Sequence, residues 1–153
     1  MAVPQYRIFF DTSVYIAALL SAEGAAGGLL RLVESGAVRM LVSEEVVIEV
    51  DRVLSGKFPK LIQDSRRLWR HLRPEIAPNP TAHQIKPFLL KLPKGDASIL
   101  CSARLARVAA FVTWNTRDFM HPGVMTLVDF PIVVPAEGLK LFRKWIEPFI
   151  NPY

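Results

Sequence analysis

Tyr6-Arg7-Ile8-Phe9-Phe10-Asp11-Thr12-Ser13-Val14-Tyr15-Ile16-Ala17-Ala18-Leu19-Leu20 is the stretch on which the fold turns. Tyr6 to Phe10 is a short apolar run, aromatic and β-branched, that stops at an acid; Thr12-Ser13 makes the turn, and Val14 to Leu20 reads as a helix. A strand feeding straight into a helix opens a βα unit. Outward from it the pattern repeats. Gly24, Gly27 and Gly28 loosen the next segment, yet Leu29, Leu30, Leu32 and Val33 recur at helical spacing and stop at Ser35-Gly36. Val38 to Val42 is a second strand, and Ser43 ahead of Glu44 and Glu45 is an N-cap with an acidic first turn, opening a helix to about Leu54.

Pro59 to Leu72 reads as a helix, with Leu61, Ile62, Leu68, Trp69 and Leu72 apolar and Arg66, Arg67, Arg70 and Arg73 on the remainder. Pro74, Pro78 and Pro80 mark an irregular connector. Ile85 to Leu92 is ambiguous around Pro87, and Pro93-Lys94-Gly95 breaks the chain before a helix of Asp96 to Arg107. Ala109 to Trp114 is an apolar strand, Asn115 to Phe119 a polar turn, Ile132 to Val134 a last short strand, and Pro135 heads a helix through Trp145. Alternating strands and helices imply an α/β three-layer sandwich: a mostly parallel central sheet flanked by helices, since parallel neighbours need a crossover.

The 153 residues, 51% hydrophobic, suit a single domain spanning 1–153. The longest apolar candidate, Val14 to Leu20, is far short of the ~20 residues a membrane span requires, and no charged-then-apolar leader opens the chain, so the reading is soluble and cytoplasmic. Cys101, the lone cysteine, sits among Ile99, Leu100 and Ala103 as a buried structural thiol. Nineteen Lys and Arg against fourteen Asp and Glu give a net charge of +5 and a pI near 9.7, a balance that favours a polyanionic partner.

Four acids stand at or near the edges of apolar segments, where a carboxylate is costly: Asp11, Glu49, Asp96 and Asp118. Asp11, Asn115 and Asp118 fall at carboxyl ends of strands, where α/β sheets gather their functional groups. At ~100° per residue Glu49 projects beside the Val46, Val50 and Val53 stripe, unlike Glu44, Glu45 and Asp51, which suit solvent. Asp96 is in phase with Ile99, Leu100 and Ala103. Each acid has a plainer role: Asp11 or Asp96 as an N-cap, Asp118 as a partner for Arg117. Together they suit a hard divalent cation, because like carboxylates repel unless a cation compensates.

Phe10-Asp11-Thr12-Ser13, Val42 to Glu49, Gly95 to Leu100 and Val112 to Phe119 resemble, in order, the four blocks of a PIN domain, and Val134 to Leu139 resembles its proline-led final helix. The resemblance implies a Mg²⁺- or Mn²⁺-dependent endoribonuclease, commonly the toxin of a VapC-like toxin–antitoxin pair. Asp11, Glu49 and Asp96 match its three core acids and Asp118 an acid of the last block, all as metal ligands; Ser13 and Thr113 match hydroxyls that support the ligands. RNA as substrate, an antitoxin partner and a homodimer follow from the same resemblance. Two positions depart from it: Asn115, which can still offer a carbonyl oxygen but no charge, stands where many members carry an acid, and Trp114, which can stack on a base or, the favoured reading, pack the strand's end, stands where they carry glycine. The alternative is therefore a catalytically weak or inactive PIN-like RNA-binding domain.

Arg66, Arg67, Arg70, Arg73, Lys91 and Lys94 are candidates to guide an RNA strand, or simply a solvated basic face. A phosphoryl-transfer enzyme using Asp11 as nucleophile lacks an adjacent carboxylate, and neither a glycine-rich phosphate loop nor zinc-ligand spacing occurs; His71, His83 and His121 are isolated.

Overall fold

The computed structural model describes residues 5–150. The outer limits of the expected 1–153 domain lie outside them. Strand β1, Tyr6–Phe10, runs directly into α1, Thr12–Leu20, and α2, Ala25–Glu34, leads to β2, Val38–Val42. Helix α3, Glu44–Lys57, is capped by Ser43, whose hydroxyl accepts the Val46 N–H; a 3₁₀ turn at Pro59–Leu61 then gives way to α4, Ile62–Leu72. Next come β3, Glu75–Ile76, α5, Ala82–Leu89, α6, Lys94–Ala106, and β4, Ala110–Val112. The short helices α7, Thr116–Phe119, and α8, Pro122–Met125, precede β5, Ile132–Val133, and the long α9, Pro135–Ile150.

The five strands form one sheet in the order β3-β2-β1-β4-β5, and every pairing is parallel. Central β1 sets the frame. Phe9 lies opposite Leu41 on one side and Phe111 on the other, and Ile8, Phe9 and Phe10 are fully buried. With the right-handed crossovers that parallel strands obey, this order requires α1 to α4 on one face of the sheet and α5 to α8 on the other, and α9 packs against α2. The expected three-layer α/β sandwich is the observed one, and the sheet is wholly parallel rather than mostly so.

Several local readings change: Thr12 and Ser13 open α1 instead of forming a turn before it, α9 runs past Trp145 to Ile150, and three segments differ in kind. The proline-rich connector contains a strand, because β2 would otherwise be an open edge: Glu75 and Ile76 register on Leu41 and Val42, and the Ala77 N–H donates to the Val42 carbonyl. Ile85 to Leu92 is helical up to Leu89 despite Pro87, whose missing N–H forfeits a bond inside α5; a Thr81–Gln84 capping box and fully buried Phe88 hold the turn. The turn after β4 is itself one helical turn, α7, capped by Asn115. Cys101 is buried, its thiol is pushed up by burial, and it faces the Gln84 carbonyl at 3.5 Å, the structural role expected of it. Among the described residues no single helix is long and apolar enough to cross a membrane.

Candidate metal centre

Asp11 directly follows β1 and occupies the N-cap position of α1, yet its side chain makes no cap. Its Oδ2 instead accepts the Thr113 hydroxyl at 2.7 Å and the Ser13 hydroxyl at 3.1 Å. Both hydroxyls are themselves held, Thr113 Oγ1 accepting the Asn115 N–H at 2.9 Å and Ser13 Oγ the Trp114 N–H at 3.0 Å. The ends of β1 and β4, neighbours in the sheet, are thereby stitched through one carboxylate that is only 4% exposed. Burial pushes the Asp11 carboxyl above its ordinary value, against the pull of bonds from Thr113, Ser13 and the Thr12 backbone.

Asp96 sits inside the first turn of α6, whose N-cap is Pro93, so its expected alternative role as a cap does not apply. Asp96 is pushed up to about 7, first by burial and then by Asp11, Glu49 and Asp118. Glu49, half-buried on α3, is raised by burial first and then by Asp11 and Glu45, with Arg52 and the Thr12 hydroxyl opposing. Helices α3 and α6 meet at Gly95, where an added Cβ would lie 3.7 Å from Glu45 Oε1 and 4.0 Å from Glu49 Oε2. Asp118 joins from α7: Asn115 Nδ2 donates to its Oδ2 at 3.1 Å and to Asp96 Oδ2 at 3.5 Å, while Asn115 Oδ1 accepts the Asp118 N–H at 3.3 Å. The pairing of Asp118 with Arg117, 3.6 Å and on a 91% exposed side chain, is a weak surface contact.

All four acids therefore face one region, with Ser13, Thr113 and Asn115 between them. They do not form a finished cage: among the described residues no three Asp, Glu, His or Cys side chains stand ready to hold an ion. Their chemistry nevertheless fits a hard cation. Asp11 raises the proton affinity of both Glu49 and Asp96, Glu49 raises that of Asp96, and the one cation favouring ionisation of any of the three is Arg52, at Glu49. Thr12 Oγ1, buried next to Asp11 and directed to Glu49, makes no hydrogen bond of ordinary geometry.

Two residues go against the favoured reading of the sequence. Glu45, assigned to solvent, is half-buried and one turn from Glu49, a spacing of four that was legible. Trp114, expected to pack, is 48% exposed. Beside Glu49 opens a cleft of about 610 Å³, its wall including Glu44, Glu45, Arg52, Lys94 and Ser98. A larger cavity of about 750 Å³ lies at Arg104, Arg107 and Asp129, near the amino ends of β4 and β5 and away from the acids.

The raised carboxyls have a measurable consequence. A carboxyl whose folded-state value exceeds its unfolded one stabilises the fold fully below the unfolded value, and that contribution is lost as pH rises through the folded one. With Asp96 moving from 3.8 to about 7, the metal-free protein should lose stability between about pH 4 and 7. Added Mn²⁺, which needs the ionised carboxylates, should then raise the melting temperature more at pH 8 than at pH 5.5. Thermal melts in EDTA and in Mn²⁺ at both pH values test this; an equal Mn²⁺ effect at both would remove the cluster as its cause.

An all-parallel α/β sheet whose carboxyl end gathers buried and half-buried acids defines a protein with a carboxylate site, and neither a thiol nor a glycine-rich loop competes with it. A family model described as PIN domain matches residues 7–117, and the chain belongs to the PIN domain family. PIN domains are generally nucleases and generally use divalent metals. Among solved structures, VapBC2 from Rickettsia felis bound to a DNA fragment from its promoter is similar, with a TM-score of 0.60 and 16% identity over 83% of this chain and 98% of that one. PAE2754 from Pyrobaculum aerophilum is similar at a TM-score of 0.55 and 14% identity, covering 90% of this chain and 98% of its own. At these identities the likeness is one of fold. Among curated proteins none matches this chain.

Proposed function

We propose that this PIN domain is a divalent-metal-dependent endoribonuclease and the toxin of a toxin–antitoxin pair. The observation that carries the reading is the convergence of buried Asp11 with half-buried Glu49, Asp96 and Asp118, acids from distant parts of the chain, beside the carboxyl ends of β1 and β4, with Asn115 bonded to both Asp96 and Asp118. Asp11, Glu49 and Asp96 would hold Mg²⁺ or Mn²⁺, with Asp118 at its margin. Such an ion, when bound, supplies positive charge to a phosphate and acidifies a water.

The chain's own residues do the positioning. Thr113 and Ser13 fix the Asp11 carboxylate from behind, as supporting hydrogen bonds do for metal ligands generally. Asn115 holds Asp118 and Asp96 together through its amide N–H groups, a neutral donor where an acid would add charge. That substitution supports one ion rather than two. Lys94 and Arg52, on the wall of the cleft beside Glu49, offer charge to an RNA phosphate. The same cleft, with Glu44, Glu45 and Glu49, suits a basic side chain from an antitoxin segment. A homodimer belongs to this reading as well; the α1 and α2 residues that would serve it are largely turned into the core, while Leu20 stays 51% exposed.

A second reading is favoured by Asn115 alone: a PIN-like domain that binds RNA and cleaves it weakly or not at all. Incubating defined RNAs with the purified protein in Mg²⁺, Mn²⁺ or EDTA decides between them. Cleavage in either metal and none in EDTA is the expected result, with Mn²⁺ titration giving one site per chain. RNA bound yet left whole at saturating metal would establish the second reading instead.

A further inference from the structure

Two of the three tryptophans are consumed by the fold. Trp69 lies flat on Tyr15 with ring centroids 3.9 Å apart, and Trp145 stacks on Tyr6 at 4.7 Å. Trp114 makes no such ring contact among the described residues and is 48% exposed. Among the described residues the other large exposed apolar side chains are all aliphatic or Met. An indole carries a large apolar area and a polar tip, and leaving it in water forfeits the burial that Trp69 and Trp145 obtain.

The backbone that carries Trp114 is pinned. Its N–H donates to Ser13 Oγ at 3.0 Å, and Ser13 Oγ donates to Asp11 Oδ2 at 3.1 Å, so two hydrogen bonds link this residue to the most buried acid. Its carbonyl accepts the Thr116 N–H at 3.0 Å, and Thr113 before it extends the ladder to Val133 at 2.9 Å. Asn115 after it touches Asp96 and Asp118. The exposed residue is thus mounted on a pinned backbone segment whose chain neighbours, Thr113 and Asn115, both touch the acids, within reach of a nucleotide next to one held there by its phosphate.

We propose that Trp114 is the platform of a nucleobase subsite, stacking one unpaired base of the RNA beside the scissile phosphate. This rests on the nuclease reading and adds the substrate's form: single-stranded, because a base inside a duplex has no free face to offer. Every base has a π-face, so the subsite tolerates any of the four.

The test uses the full chain in Mn²⁺ and a fluorescent single-stranded RNA with a phosphorothioate backbone, which resists hydrolysis. Stacking on one aromatic predicts about a tenfold loss of affinity for Trp114→Ala, with Trp114→Phe recovering most of it. A set of the same RNAs, each lacking one base, should show one position whose removal costs the native protein about the same factor and costs Trp114→Ala nothing. An unchanged affinity in Trp114→Ala overturns the subsite. So does a loss unrelated to any base position, which would assign the ring to a protein partner or to the fold; if the alanine variant fails to fold, the base-deleted series on the native chain alone decides the matter. Cleavage of unmodified RNA, followed in parallel, reports on the nuclease reading by itself: cleavage without a base-dependent position overturns the subsite and leaves that reading standing.

Discussion

Asp96→Asn should lower RNA cleavage about 10³-fold while making the metal-free protein harder to melt at pH 8. The loss follows if a bound ion contributes several kcal/mol to the transition state, since each 1.36 kcal/mol is tenfold in rate and Asp96 is one of its three proposed holders. The gain follows from repulsion. Ionised Asp96 is disfavoured by burial and by Asp11, Glu49 and Asp118, and an amide of the same shape removes that charge. Asn115 already stands 3.5 Å from Asp96 Oδ2, so the neutral side chain keeps a polar neighbour. The melting temperature of a domain this size shifts by roughly 2–4 °C per kcal/mol, well within reach of calorimetry in EDTA. Mn²⁺ stabilisation should disappear in the same variant. A variant that still cleaves at the native rate in a nuclease-free preparation would remove Asp96 from the chemistry, and one that melts lower in EDTA would deny the repulsion.

Gly27→Ala should be the most damaging small substitution in the chain. A Cβ at Gly27 would lie 2.0 Å from the Ala22 carbonyl oxygen, 2.5 Å from its carbon and 2.9 Å from its Cα, all backbone atoms that cannot swing aside. Those atoms belong to the loop between α1 and α2, and Arg31 Nη1 donates to the same Ala22 carbonyl at 2.6 Å. Alanine is the better helix former by about 1 kcal/mol, which works in the opposite direction. The collision outweighs it, at about 3 kcal/mol, the upper end of overpacking costs. Gly56→Ala is the control: on α3, with nothing within 4 Å of the added carbon, it should gain the helix term and melt higher. Urea unfolding of both variants separates the effects, and a Gly27→Ala protein as stable as the native one would show that the loop yields freely.

The glycine result shows where sequence reasoning reaches its limit. Gly27 in the chain reads as a loosening residue, because glycine costs a helix entropy wherever it stands. Its actual role is a close approach of two backbones, created by the turn of α1 into α2 and invisible until both are placed. Trp114 meets the same limit: an indole after an apolar run can pack the strand's end or face a base, and only the surrounding surface decides whether anything covers it. Glu45 was assigned to solvent from one helix's periodicity, whereas α6 arrives at Gly95 and makes that side a cleft wall.

The legible parts share a different character. Strands β1 and β2, the helices that follow them, and the Ser43 cap are written in the spacing of neighbours along the chain, since periods of two and 3.6 and the residues that break them act locally. The order of acids at strand ends is legible for the same reason, and the topology of a parallel sheet then requires those ends to share one edge. Tertiary contact decided the remainder: that Glu75 and Ile76 join the sheet, that Pro87 stays within a helix, that Asp11 turns from capping to Thr113 and Ser13, and that four carboxylates converge without closing into a cage. Local contacts such as the Thr81–Gln84 box and the Ser13–Asp11 bond assist, but each outcome also needs groups far apart in sequence to meet at a few ångströms, a distance that no pattern along the chain encodes.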